Sequence, residues 1–199
     1  MNPTLLSDDA KGANTIFKKL AKKNGHNTLI YKASDIDPST YKNYDEYLKY
    51  LNNNYLNDHR SSPSAVGATA NRKYPTQNEY VNNLLRRDVK VGLEADVLYA
   101  ITWLDEKESS FIHGGTAWSC YTFIDKHIRK GEELIPAYIF DQIVKKWYQI
   151  QYDKSSNNIK FEVINFPPKI NGLDGIKYAG IGTREINDDG IKEIEKLYE

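Results

Sequence analysis

The chain has 199 residues, 40% of them hydrophobic and 27% charged, which is enough apolar content for one packed domain with an elaboration. Its 27 basic and 27 acidic residues give a formal net charge of zero, which argues against a generic polyanion binder, because phosphate-tracking proteins carry a basic excess. The single cysteine, Cys120, excludes an intramolecular disulfide framework and fits a reducing compartment.

The opening "MNPTLLSDDAKG" has neither a basic stretch nor a long apolar run, so no signal peptide is expected. No window approaches the ~20 apolar residues that span a bilayer. A soluble, cytoplasmic protein without a membrane partner is therefore expected. "PTLLS" is a short strand candidate. "DDAKGANTIFKKLAKKNG" follows as a helix, with Ile16, Phe17, Leu20 and Ala21 at helical spacing and Gly25 as its stop. "HNTLIYKAS" reads as a second strand, and a tyrosine-bearing helix is expected around Asn43 to Tyr55. The loop "NDHRSSPSAVGATANRKYP" is longer than most structural connections, and long loops in compact domains are often functional.

"TQNEYVNNLLRRDVKVGLEA" is a helix, with Thr76 as the expected N-cap and Glu79 three residues on. "DVLYAITWL" is a nearly continuous apolar run, as in a strand buried on both faces. A Gly-Gly-Thr turn leads into a helix from Ala117 to Arg129, and "ELIPAYIFD" is another buried strand. This alternation argues for an α/β sandwich with a mainly parallel sheet. After Asp141 the pattern changes: "WYQIQYDKSSNNIKFEVINF" alternates with period two around a Ser-Ser-Asn-Asn turn, which predicts a β-hairpin near 147–164. "FPPKINGLDG" is a loop, and the remainder reads as a strand, a glycine-bearing turn and a last helix.

Two segments share one design, an apolar strand, a glycine-containing turn and then a helix: "VLYAITWL…HGGTAWSCYTFI" and "KYAGIGTREINDDGIKEI". In doubly wound sheets such turns gather at the carboxyl edge, where helix N-terminal amides favour anions and glycine lets a ligand approach the backbone. Either turn alone is equally well explained as a tight connection. His26, His59, His113 and His127 show no metal-ligand spacing, and neither a metal nor a cofactor is expected. His113 differs from the others in abutting the glycine pair. Cys120 reads as a small buried residue rather than a nucleophile. Trp118 can stack on a base or pack in the core, whereas Trp103 and Trp147 read as packing residues. Arg60 and Arg72 flank the long loop, which should reach the carboxyl edge, where a guanidinium would pair a phosphate. Arg184 directly follows Gly-Thr.

"YAGIGTRE" at 178–185 is similar to the YAGIGSRxTP signature of phage-type members of the SLOG superfamily, which includes the DprA and LOG (lysine decarboxylase-like) Rossmann folds. "SDDAKGANTIF" at 7–17 resembles its second motif, SGGADGADxAF. "GATANRKYP" at 67–75, "RRDVKVGLEADVLYAI" at 86–101 and "HGGTAWSCYTFI" at 113–124 resemble its later segments. The resemblance implies a Rossmann-like three-layer sandwich over residues 1–199 as a single domain. Residues 1–141 and 175–199 would form the core, and 142–174 the hairpin and connector. It also implies a ligand site made of Ser7, Asp8, Gly12, Arg60, Arg72, Arg87, His113, Gly114, Gly115, Thr116, Trp118, Gly180, Gly182, Thr183, Arg184 and Glu185. In the family the GIGSR strand comes first, whereas here it lies near the C-terminus. The chain therefore reads as a circular permutation, with Met1 and Glu199 expected near each other.

LOG-type members cleave the N-glycosidic bond of nucleotides and carry an acid three positions after the threonine of GGxGTxxE. Here that position is Ser119, and the next carboxylate in the helix is Asp125. The expectation is thus a binder of a nucleotide derivative, ADP-ribose-like or cyclic, that sequesters an immune signal without turnover. A phage anti-defence sponge in the host cytoplasm would behave this way. The alternatives are a nucleotide N-glycosidase or deoxyribosyltransferase-like enzyme using Glu185, Asp96 or Asp125, and a DprA-like single-stranded DNA binder. The neutral charge argues against the last. Family members often pair through helices beside the site, which implies a homodimer or higher assembly.

Overall fold

A computed structural model of the chain describes residues 1–56, 74–104, 112 and 114–199. Its elements run β1 (Thr4–Asp8), α1 (Ala13–Lys23), β2 (Asn27–Tyr31), α2 (Tyr41–Leu51), α3 (Glu79–Glu94), β3 (Val97–Thr102), α4 (Thr116–Arg129), β4 (Leu134–Asp141), β5 (Lys146–Asp153), β6 (Asn158–Ile164), β7 (Lys177–Gly182) and α5 (Asp188–Leu197). One sheet holds all seven of these strands in the order β2-β1-β7-β3-β4-β5-β6. β2, β1, β7, β3 and β4 pair in parallel, and β5 and β6 extend the sheet as an antiparallel hairpin. The fold is a Rossmann-like α/β sandwich of three layers.

Strand alternation assigns the two faces. Leu6, Leu98, Ala100 and Ala179 turn toward α2, α3 and α4, and they share one core with Leu48, Leu51, Leu85, Val89 and Phe123. Leu5, Tyr99, Ile101 and Tyr178 turn the other way onto α1 and α5, where they meet Phe17, Ala21, Ile194 and Leu197. Counted from β7, the parallel strands read third, second, first, fourth and fifth across the sheet. That matches the first five strands of the doubly wound order 3-2-1-4-5-6, whose switch point falls between β7 and β3.

Helix boundaries shift from those the sequence predicts, for local reasons. α1 starts at Ala13 rather than at Asp8, because Gly12 stands at φ 81° and ψ −129°, outside helical space. The cap of α3 is Asn78, not Thr76: the Asn78 side chain accepts from the amides of Tyr80 and Val81. Thr76 is instead engaged with Asn82, its hydroxyl and amide both donating to Asn82 Oδ1 at 2.9 Å. The hairpin turn is tightened by Asp153, whose Oδ1 accepts from the Ser155 amide at 2.9 Å and the Ser155 hydroxyl at 2.6 Å. Both ends of the chain are tied to one loop. The Gly175 amide donates to the Met1 carbonyl at 2.7 Å, and Asn171 Nδ2 donates to the carbonyl of Tyr198.

Candidate functional site

The carboxyl ends of β1, β7 and β3 lie side by side, because β7 pairs with β1 on one flank and with β3 on the other. Three strand-to-helix turns therefore leave the same edge: residues 9–12 into α1, residues 183–187 into α5 and the segment ending in Gly114–Gly115 into α4. Of the residues singled out in the sequence, Arg60, Arg72 and His113 lie outside the described residues. Apart from the buried Trp118, the other expected site residues divide into a group that locks the turns together and a group that faces outward.

The locking group surrounds Gly12. A Cβ there would sit 2.3 Å from the Thr183 carbonyl oxygen and 2.6 Å from Arg184 Cα, so the glycine allows one turn to lie on the next. The Ala13 amide completes the contact by donating to Thr183 O at 3.0 Å. Gly182 is closed in the same way, its Cβ position 2.3 Å from Ile101 O, and Gly180 leaves room for the Phe17 ring, 2.7 Å from a Cβ there. Ser7 is fully buried and donates to the Gly180 carbonyl at 2.7 Å. At these positions the missing Cβ serves close packing between one element and the next.

Asp8, also buried, accepts from the Ala10 amide at 2.7 Å and from Asn14 Nδ2 at 2.8 Å. Asn14 passes the connection on, its Oδ1 accepting from the Gly182 amide at 2.9 Å. Arg87 reaches this cluster from α3, 3.2 Å from Asp8, 2.8 Å from Asp9 and 3.0 Å from Asp88. Burial alone would lower the guanidinium's pKa, but the charges of Asp88, Asp8 and Asp9 outweigh it and raise it. One guanidinium among three carboxylates leaves this corner of the edge acidic. Arg87 therefore anchors the β1 turn, its guanidinium engaged by three carboxylates. Asp9 and Asn14 lie within the 7–17 segment and Asp88 within the 86–101 segment, but the sequence does not single them out as site residues, because most of the contacts that join them are made across elements.

The outward group consists of Gly114, Gly115, Thr116, Thr183, Arg184 and Glu185. Gly114 takes φ 73°, and a Cβ on Gly114 or Gly115 would meet nothing within 4 Å among the described residues. α4 opens at Gly115 without a side-chain cap. Arg184 and Glu185 are exposed, and among the described residues the Arg184 guanidinium has no carboxylate partner. Their backbone is nevertheless fixed: the Glu185 amide donates to Thr183 Oγ1 at 3.1 Å, and Gln142 Nε2 donates to the Glu185 carbonyl at 2.8 Å. Gln142, at the end of β4, also accepts from the Asn187 amide at 3.0 Å. It is a positioning residue without a sequence signature.

Trp118, on α4, is buried and packs in the core on the α2–α4 side of the sheet. Ser119, standing where a LOG-type acid would be, is equally buried. Cys120 is buried, which pushes its thiol pKa up and leaves it unreactive. Asp125 accepts from Tyr47 at 2.7 Å, Tyr50 at 3.1 Å, Tyr55 at 2.7 Å and Arg129 Nε at 2.6 Å, away from the strand ends. Asp96 sits at the opposite edge of the sheet, before β3, where its Oδ2 accepts from the Lys177 amide at 2.9 Å. Neither carboxylate can serve the carboxyl-edge site, which leaves Glu185 as the acid there among those the sequence put forward.

Among the described residues, no group of three or more His, Cys, Asp or Glu side chains is arranged to hold a metal, and no helix is long and apolar enough to cross a membrane. Compared with protein-family models, curated proteins and solved structures, the chain gives no significant match.

Proposed function

We propose that the chain binds a nucleotide derivative, ADP-ribose-derived or cyclic, at the carboxyl edge between β7 and β3 and holds it without turnover. The observation that carries this reading is the Gly114-Gly115-Thr116 turn. Among the described residues it has no side-chain cap and no atom within 4 Å of a Cβ on either glycine, and it lies at the topological switch point, where doubly wound sheets take their ligands. Arg184, on the adjacent turn, supplies the cation for a phosphate. Asp9, about half exposed on the acidic side, supplies an acceptor for ribose hydroxyls. The ligand then lies with its phosphates over β7 and β3 and a sugar toward β1.

Absence of turnover is supported by the burial of Ser119 and by the engagement of Asp125 and Asp96 elsewhere. A pocket of this kind suits a sponge for a nucleotide immune signal, and the resemblance to phage-type SLOG sequences points to a phage anti-defence setting. Calorimetric titration with ADP-ribose and with cyclic ADP-ribose, followed by chromatography of the recovered nucleotide, tests the reading. Stoichiometric binding with the nucleotide returned intact is expected. Release of free base or ribose phosphate would establish an enzyme using Glu185 instead. No heat and no thermal stabilisation with any nucleotide would remove the binding reading altogether.

A further inference from the structure

The β5–β6 hairpin ends the sheet. All seven residues of β6 pair with β5 in unbroken register, from Trp147 opposite Ile164 to Asp153 opposite Asn158. Among the described residues nothing pairs with the other edge of β6. The strand has no proline or bulge, two of the features that blunt an exposed edge, and its charges are Lys160 and Glu162. Its side chains sort cleanly by face. Ile159 and Phe161 pack beside Tyr148 and Tyr152 on the side of α2 to α4, and Val163 on that side is 58% exposed. Lys160 and Glu162 stand exposed on the opposite side. Across β5 they face Gln151 and Gln149, so neither meets an opposite charge directly across its own sheet.

We infer that β6 pairs antiparallel with β6 of a second copy of this chain, in the register centred on Phe161. A two-fold axis perpendicular to the sheet keeps each face on its own side, so only registers centred on a residue match apolar to apolar. Centring on Lys160 or on Glu162 sets like charges directly opposite. Centring on Phe161 sets Lys160 opposite the second copy's Glu162, and Glu162 opposite its Lys160. The same register sets Ile159 opposite Val163 twice and the two Phe161 rings together. Opposite charges and apolar pairs in directly opposed positions are the stabilising units of a sheet. The interaction between Lys160 and Asp153, at 2.7 Å, leaves the ammonium two further donors for this contact. The two sheets then become one, continuous through the axis, and the carboxyl-edge turns of both copies stay open.

Sedimentation velocity over a concentration series tests this on the full chain. The wild type should approach twice the mass of one chain. Lys160→Glu and Glu162→Lys, each placing like charges across the axis, should each weaken the dimer about tenfold or more. Mixing the two variants should restore a dimer, because the acidic edge of one then meets the basic edge of the other. Recovery on mixing also shows that both variants are folded. A wild type that stays monomeric at every concentration, or a dimer indifferent to both reversals, overturns the inference. So does a pair of variants that does not reassociate.

Discussion

Arg184 and Arg87 bring the same charge to the same edge of the sheet, and their surroundings separate their roles. Arg87 is buried among Asp8, Asp9 and Asp88, while Arg184 is exposed and has no carboxylate partner among the described residues. Arg184→Ala should weaken nucleotide binding by about 1.5–3 kcal/mol, the worth of a charge-assisted hydrogen bond, and leave the melting temperature unchanged. Gly12→Ala should do the reverse. Its φ of 81° and the 2.3 Å approach to Thr183 O predict a loss of about 2–4 kcal/mol of stability in urea denaturation. Any effect on the ligand would then follow from the displaced turn. The sequence showed that these residues belong together, because glycine-bearing turns after apolar strands converge in any doubly wound sheet. It could not separate the locking glycines from the open ones, because the neighbours that close Gly12, Gly180 and Gly182 come from other elements.

At the scale of the element, the helix face is organised by one carboxylate. Asp125 of α4 is 1% exposed and accepts from three tyrosines, two on α2 and Tyr55 on the π-helical turn that follows it. The tyrosine hydroxyls lose water and gain this anion, and the pKa values of Tyr47 and Tyr55 rise through burial and the adjacent charge. Asp125→Ala strands those donors, so a loss of about 2–5 kcal/mol is expected in denaturant melts, with nucleotide affinity per folded molecule unchanged. A second cross-helix contact comes from Lys126, which donates to the carbonyls of Gly92 at 3.3 Å, Leu93 at 3.1 Å and Ala95, satisfying the C-terminus of α3. Strands and helices were legible because their hydrophobic periods are strong. The tyrosine cage was not: the abundance of tyrosine is visible in the composition, but its convergence on a single carboxylate depends on how α2 docks against α4.

For the whole molecule, acid is the condition that should loosen the fold first. Burial holds the pKa values of both His26 and His127 below the ordinary 6.5. Below that value the unfolded chain binds more protons than the folded one, so stability present near neutral pH falls as pH drops. His127 explains why in geometry: Nδ1 lies 2.7 Å from Glu132, while among the described residues the buried Nε2 has no hydrogen-bond partner, so a second ring proton would find no acceptor among them. The melting temperature should decline from pH 7 toward pH 5, and His127→Phe should flatten that decline; an unchanged slope would place the effect elsewhere. The strand order has a consequence for how the chain is assembled. β7, the last of the seven strands in sequence, is the one that joins β1 to β3 at the centre of the sheet. During synthesis the β1–β2 pair and the β3–β6 portion are both complete before the strand that unites them exists. Closure of the sheet thus rests on contacts of very large sequence separation, a topology that folds slowly. The carboxyl-edge turns that follow β1, β7 and β3 straddle that junction.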